Sequence, residues 1–217
     1  MPLFPNPQQC QSRLNRFPPK DAEALRGIRK HLTNGFNNDN LLASLADVQT
    51  DVLRTLGRWG AYRNQGGSRN THFLEALIAN DPIGSAFSTV FGATLQTTDL
   101  ALLLNEHRTA IDQLYHFLRT SMLLDQVPAR IVTISKALWV ITGFSVGLDS
   151  RVLKKIKMAK PYALTCPGVW PFCLYWETLE IIASEQQVWE HQYGRPLSEL
   201  LPGVPIGQVM DRILWTA

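Results

Sequence analysis

The chain has 217 residues and is 45% hydrophobic, which is enough apolar side chain for one compact core. Its 21 basic and 18 acidic residues leave a net charge of +3, an excess too small to indicate a nucleic-acid partner by itself. The three cysteines form no Cys-x-x-Cys pair, which argues against a structural zinc site and a disulfide framework. We expect a cytoplasmic protein without a membrane segment, because no secretory signal or long apolar run is visible.

The first 20 residues contain five prolines. Because proline fixes φ and lacks an N–H group, this composition predicts an extended arm over residues 1–20 rather than a helix. A single helical domain is expected over residues 21–217, with a subdivision near residue 125.

Helical periodicity begins after Pro19, and leucines and valines at three- and four-residue intervals predict one long helix over residues 41–62. A short helix follows from Phe73 and is expected to stop at Asp81-Pro82. Residues 83–97 are ambiguous, since they are rich in glycine, serine, threonine and β-branched residues.

The sequence predicts further helices in the second half of the chain. Asp99 is expected to cap one of them, and Asp149 or Ser150 another that runs to Lys160. A long helix is predicted over residues 172–192, and a last one from near Pro205. Strand-like alternation is weak throughout, so about eight to ten helices and an all-α fold are predicted.

Lys136 is a lysine inside an apolar helical run. In one interpretation its stem lies along an apolar surface and its amine reaches solvent. In the other the side chain is partly buried, which would lower the pKa of the amine and make it available as a nucleophile.

Asp149 follows Lys136 after thirteen residues, at the predicted start of a helix. A carboxylate there usually caps the free backbone N–H groups. It could also assist proton transfer or stabilise a cationic intermediate beside Lys136, and the two roles are compatible.

A basic cluster comes directly after Asp149, and no acidic residue appears from Ser150 to Trp176. Its position at a helix start predicts contact with phosphate, although a solvated helix face is the alternative. The candidate phosphate-binding residues are Arg151, Lys154, Lys155 and Lys157. A weaker basic group, Arg54, Arg58, Arg63 and Arg69, surrounds the glycines at 66–67.

Aromatic residues crowd the segment around residues 170–176, where Trp170 and Trp176 are candidates for stacking on a base, although such clusters more often belong to the core. Glu177 and Glu180 lie one helical turn apart and could bind a metal, but a solvated acidic stripe is the simpler interpretation. No metal site and no cofactor is predicted.

Ser-Lys-x-Leu at residues 135–138, Gly143, and Asp-Ser-x-Val at residues 149–152 together resemble 8-oxoguanine DNA glycosylases, which belong to the helix-hairpin-helix glycosylase superfamily. The resemblance covers roughly residues 125–217. It implies that Lys136 attacks the sugar C1′ and forms a Schiff base, and that Asp149 assists. It also implies that the closing pattern Gly-x-x-x-Asp-Arg-x-Leu-Trp at 207–215 is a final helix packing on this core.

Two functions follow as hypotheses. The first is a DNA-binding repair protein, active as a glycosylase and lyase if Lys136 is a nucleophile. The second is a non-catalytic helical protein that binds another protein, a second copy of itself or nucleic acid; in it Lys136 only lies along a surface and Asp149 only caps. A metal enzyme using the two glutamates is a third and weaker hypothesis.

Overall fold

The structure is a computed structural model that describes residues 2–61, 72–122, 131–160 and 172–216. These ranges contain twelve α-helices and one short 3₁₀ helix and no strand, so the predicted all-α class is confirmed. The first four helices are α1 (Pro7–Asn15), α2 (Pro19–Asn37), α3 (Leu41–Asp47) and α4 (Gln49–Arg58). The next four are α5 (Phe73–Ile78), α6 (Asp81–Gln96), α7 (Leu100–Glu106) and α8 (Arg108–Ser121). The last are α9 (Ile131–Ile141), α10 (Ser150–Ala159), α11 (Phe172–Tyr193), the 3₁₀ helix Leu197–Leu200, and α12 (Ile206–Trp215).

Side-chain caps and early prolines set where several helices begin. Asn6, Asn80 and Asp99 accept hydrogen bonds from free N–H groups in the first turns of α1, α6 and α7. Prolines occupy the first turns of α1, α2 and α6, where the missing N–H group costs no intrahelical bond. The predicted cap at Asp99 is therefore confirmed.

The prediction of an extended arm over residues 1–20 is wrong for residues 7–15, which form α1. Pro7 stands in the first turn of α1, the helical position that tolerates proline best. Cys10 and Leu14 are buried, and two long-range hydrogen bonds fix the segment that precedes α1. Trp189 Nε1 donates to the Pro5 carbonyl at 2.6 Å, and Leu3 N donates to Glu185 Oε2 at 3.1 Å. The N-terminus is thus part of the core.

Two further predictions about helix bounds need correction. The helix predicted over residues 41–62 is two helices, α3 and α4, because Val48 leaves helical geometry between them (φ −97°, ψ 7°). The ambiguous segment 83–97 belongs to α6, whose small residues pack closely in the core. The predicted subdivision near residue 125 lies outside the described residues.

Helix α9 is the centre of the fold. All of its residues except Val132 are buried, and it packs against α2, α4 and α8. The prediction of an apolar helix around Lys136 is confirmed. This helix has 11 residues, and no described helix combines the length and apolar character needed to cross a membrane.

The linker that joins α9 to α10, residues 142–148, is irregular and fully buried. Buried backbone groups without helical partners need other hydrogen bonds. Side chains supply them: Ser135 Oγ accepts from Leu148 N at 3.0 Å, and Asp211 Oδ1 accepts from Gly147 N at 2.8 Å. Arg29 Nη1 donates to the Thr142 carbonyl at 2.9 Å. Helices α2, α9 and α12 therefore hold this linker in one conformation.

Helix α12 approaches the linker so closely that only glycine fits at position 207. A Cβ atom there would overlap the carbonyl oxygen of Phe144 and lie 2.6 Å from that of Gly143. These are backbone atoms, which cannot yield as a flexible side chain does. The close approach aligns Asp211 with the linker it binds.

We predict opposite effects of alanine at two helical glycines. Gly207→Ala should lower the free energy of unfolding by about 2 kcal/mol or more, because the added methyl group overlaps backbone. Gly27→Ala in α2 meets nothing within 4 Å and should raise it by roughly 0.5–1 kcal/mol, since alanine is the better helix former. Urea unfolding of both variants tests this, and equal effects would contradict the packing described for α12.

Candidate functional site

Lys136 and Asp149, the predicted pair, line the same cleft, which we call the lysine cleft. It has a volume of about 380 Å³ and lies between the end of α4, the outer side of α9, the start of α10 and the end of α12. Arg58, Arg151 and Trp215 also face it. Two polar groups that are separate in sequence thus share one solvent-connected space.

Lys136 is 6% exposed, and its Nζ donates a 2.5 Å hydrogen bond to the carbonyl of Trp59. Thr133, one turn earlier on α9, donates to the carbonyl of Ala61 at 2.6 Å. Both carbonyls lie just beyond α4, where the last carbonyls of a helix lack intrahelical partners. Lys136 therefore helps to fix the end of α4, and this bond holds its amine at the wall of the lysine cleft.

Asp149 caps α10, as predicted. Its Oδ1 accepts from Arg151 N at 2.9 Å and from Val152 N at 3.1 Å. Both bonds use the same oxygen, and within the described residues Oδ2 has no hydrogen-bond partner. Capping consequently uses one oxygen of the carboxylate, and Asp149 also lines the lysine cleft.

Asp211 is a second carboxyl group near Lys136, and the sequence interpretation did not identify it. It is 3% exposed and bonds to Gly147 N. A Cβ atom at Gly147 would meet Asp211 Oδ1 at 3.2 Å and Lys136 Cγ at 3.3 Å, so both side chains pack against this glycine. Burial raises the pKa of Asp211 from its ordinary 3.8 to about 7; the bond from Gly147 opposes the rise and the charge of Asp149 adds to it. One signal was visible in the sequence, an acidic residue in a final helix whose side chains are mostly apolar.

Tryptophans form one wall of the lysine cleft. Trp59 and Trp215 meet edge to face with ring centroids 4.9 Å apart, and Trp59 stacks on Phe17 at 5.3 Å. The guanidinium of Arg151 lies 5.2 Å from the centroid of Trp215. These rings, from distant parts of the chain, supply the aromatic surface at the site.

Of the two tryptophans predicted to stack on a base, Trp170 is outside the described residues and Trp176 lies away from the lysine cleft. Trp176 is 5% exposed, its Nε1 donates to Glu180 Oε1 at 2.7 Å, and the guanidinium of Arg108 lies 4.7 Å from its ring centroid. It is packed as a core residue and does not line the lysine cleft, so in this arrangement its ring offers no open face to a base.

The basic cluster on α10 divides between two faces. Arg151, Lys154 and Lys155 line a second space with Arg13 of α1, of about 480 Å³, which we call the basic crevice. Lys157 is exposed and does not line this crevice. Lys155 Nζ is buried and has no hydrogen-bond partner in the part of the chain that the structure describes, and desolvation together with Arg13 lowers its pKa to about 8. Among the described residues none of these cations has a carboxylate within 4 Å (the ion pairs lie elsewhere).

The weaker candidate site residues either have ordinary partners or lie outside the described residues. Arg54 pairs with Asp51 at 2.7 Å, and Arg58 pairs with Asp21 at 3.2 Å. Arg63 and Arg69 belong to the undescribed part of the chain. Glu180 accepts from Trp176, and the described residues contain no cluster of three potential metal ligands around Glu177 and Glu180.

No known protein family matches the chain, and no curated protein or solved structure shows significant similarity to it. The lysine cleft and the basic crevice are therefore the features that bear on function.

We predict that Asp211 makes the protein less stable as pH rises. Its folded pKa is above its unfolded pKa, so between about pH 4 and about pH 7 the folded state keeps a proton that the unfolded state has lost. Unfolding free energy should fall across this window, and Asp211→Asn should remove that fall while keeping an oxygen for Gly147 N.

The difference between the two proteins isolates Asp211 from the other titrating groups. Asp211→Asn should match the wild type near pH 4 and exceed it near pH 8 by an amount on the order of a few kcal/mol. Urea unfolding across this range measures the difference, and a constant difference would show that Asp211 is not a buried acid.

Proposed function

We propose that this protein binds DNA and acts in the lysine cleft as a base-excision glycosylase and lyase, with Lys136 as the nucleophile. The observation that carries the proposal is that Lys136 and Asp149 line one cleft together. An amine and a carboxylate oriented on rigid helices beside open space are what nucleophilic catalysis on a sugar requires.

In the proposed reaction the neutral amine of Lys136 attacks C1′ of a deoxyribose. A C1′–N bond to the lysine forms as the glycosidic bond breaks, and the base leaves with the electron pair of that bond and then takes a proton. The nitrogen then loses one proton, and its lone pair forms the C1′=N bond as the C1′–O4′ bond breaks and O4′ takes a proton, which opens the sugar ring and gives the protonated Schiff base. Asp149, through the oxygen that does not cap α10, would stabilise the positive charge that develops at C1′.

The aromatic wall suits an extruded nucleotide. Enzymes that act on a base within DNA rotate it out of the stack and hold it against aromatic side chains. Trp215 is half-buried and lines the lysine cleft beside Trp59. In this proposal Trp59 and Trp215 take the role that the sequence suggested for the tryptophans at 170 and 176.

The basic crevice supports DNA as the partner. Arg151 lines both the crevice and the lysine cleft, so the two spaces adjoin. Lys154, also in the crevice, is exposed, and neither cation has a carboxylate within 4 Å in the described part of the chain. A backbone phosphate in the crevice would therefore lie next to a nucleotide entering the cleft. The resemblance of residues 135–152 to 8-oxoguanine DNA glycosylases agrees with this arrangement and suggests an oxidised purine as the substrate base.

The alternative is a non-catalytic helical protein that binds nucleic acid or protein. One observation favours it: both site residues stabilise the fold. Lys136 donates to the Trp59 carbonyl, and Asp149 caps α10. An experiment must therefore separate structural from chemical roles.

Borohydride trapping on DNA that contains 8-oxoguanine or an abasic site tests the proposal. Wild-type protein should give a covalent adduct, because reduction fixes the Schiff base. Lys136→Met should give none, whereas Lys157→Gln, which removes an exposed amine of α10 that lines neither the lysine cleft nor the basic crevice, should retain it. Asp149→Asn keeps an oxygen for the α10 cap, so it should fold normally yet form adduct about 100-fold more slowly.

Two results would contradict the catalytic proposal. An adduct that persists in Lys136→Met removes Lys136 as the nucleophile. Normal adduct formation by Asp149→Asn would show that Asp149 serves only as a cap. A melting curve for each variant confirms that lost activity does not reflect lost structure.

We also predict that the α10 cations set the salt dependence of DNA binding. Removing one cation that binds a phosphate should reduce the slope of log affinity against log salt by about 0.9. Lys154→Gln and Arg151→Gln should each show this reduction. Arg119→Gln, which removes a cation from α8, should leave the slope unchanged, and equal slopes in all three variants would contradict binding through the basic crevice.

A further inference from the structure

A third space lies between α2 and α12 and is closed by the loop at residues 201–205; we call it the arginine pocket. Its volume is about 360 Å³, within the range of sites that hold small ligands. Four cations line it, and among the described residues no carboxylate does: the cations are Arg26, Arg29, Lys30 and Arg212.

Arg212 is the most unusual of these cations. It is 6% exposed, its guanidinium carbon lies 4.5 Å from the centroid of Phe17, and its buried Nε has no hydrogen-bond partner within the described residues. Burial lowers its pKa to about 10; Asp211 partly offsets this and Arg26 adds to it. A buried donor without an acceptor is costly, and more so on a charged group.

Arg29 is also largely shielded from water. Its Nη1 and Nη2 donate to the Thr142 carbonyl at 2.9 Å and to Thr94 Oγ1 at 2.7 Å. Both acceptors are neutral, and desolvation lowers the pKa of the guanidinium to about 10. The guanidinium is therefore hydrogen-bonded, but no carboxylate among the described residues pairs with its positive charge.

The pocket lacks counter-charge as a whole. Within the described residues none of the four cations forms an ion pair, while Arg58, on the neighbouring helix α4, pairs with Asp21 of α2. Buried cations in proteins are normally paired. A bound anion would supply what the chain does not.

We propose that the arginine pocket binds a phosphate group of a phosphorylated ligand. Guanidinium groups match phosphate oxygens in planar, two-pronged hydrogen bonds, and several arginines around one small space favour phosphate over a single carboxylate. Pro202, Val204 and Leu25 add an apolar wall that can cover an uncharged part of the ligand.

This site is separate from the lysine cleft and does not depend on the function proposed for it. Helix α12 stands between them. Gln208 and Arg212 face the arginine pocket, while Trp215 faces the lysine cleft and Asp211 bonds to the linker.

Calorimetric titration with inorganic pyrophosphate tests the proposal on the whole chain. Arg26 is exposed and Lys30 lies at the pocket rim, so Arg26→Gln/Lys30→Gln should fold normally. It should weaken pyrophosphate binding about 10-fold or more, because the variant cannot form two charge-assisted hydrogen bonds to the ligand. The matched control Arg119→Gln/Lys157→Gln makes the same change in net charge at residues that do not line the pocket, and it should bind within about 2-fold of the wild type.

Absence of saturable binding, or equal weakening by the two double variants, would overturn the proposal. Competition by a short single-stranded DNA separates the two sources of phosphate. If the DNA displaces pyrophosphate from wild-type protein, and its own binding weakens in Arg26→Gln/Lys30→Gln, the pocket takes a phosphate of a nucleic-acid backbone. If it does not displace pyrophosphate, the pocket takes a small phosphorylated molecule.

Discussion

The buried linker between α9 and α10 is the constraint on which the site depends. An irregular segment inside a core is stable only if its backbone groups find partners. Ser135 and Asp211 accept from its N–H groups, and Arg29 donates to one of its carbonyls. Because these partners come from three helices, the linker has little freedom, and the position at which α10 begins is fixed relative to α9.

The fixed start of α10 places the two candidate reactive side chains, Lys136 and Asp149, in the same cleft. Asp149 ends the linker and caps α10, so the linker sets its distance from Lys136 on α9, and both reach the lysine cleft. The same start directs Arg151 toward the tryptophan wall and aligns the basic crevice beside it. Asp211, on α12, accepts a hydrogen bond from the linker. Because burial raises the pKa of Asp211 to about 7, this hydrogen bond depends on pH.

Local features of the structure could be predicted from sequence, and features built by long-range contact could not. Periodicity and capping chemistry predict most helices, the apolar surroundings of Lys136 and the cap at Asp149, since these depend on neighbours three or four residues away. The helix α1 was missed because its prolines suggest extension, and only the first-turn position of Pro7 makes it compatible with a helix. Trp59 and Trp215 come together from distant parts of the chain, and no sequence pattern marks them as one wall.

The most direct test of the central claim is to locate the adduct by peptide mass spectrometry after borohydride reduction on abasic DNA. If Lys136 is the nucleophile, the sugar fragment should be attached to Lys136 alone. Attachment to Lys155, the nearby amine whose pKa is lowered to about 8, would contradict it and place the reactive group in the basic crevice instead.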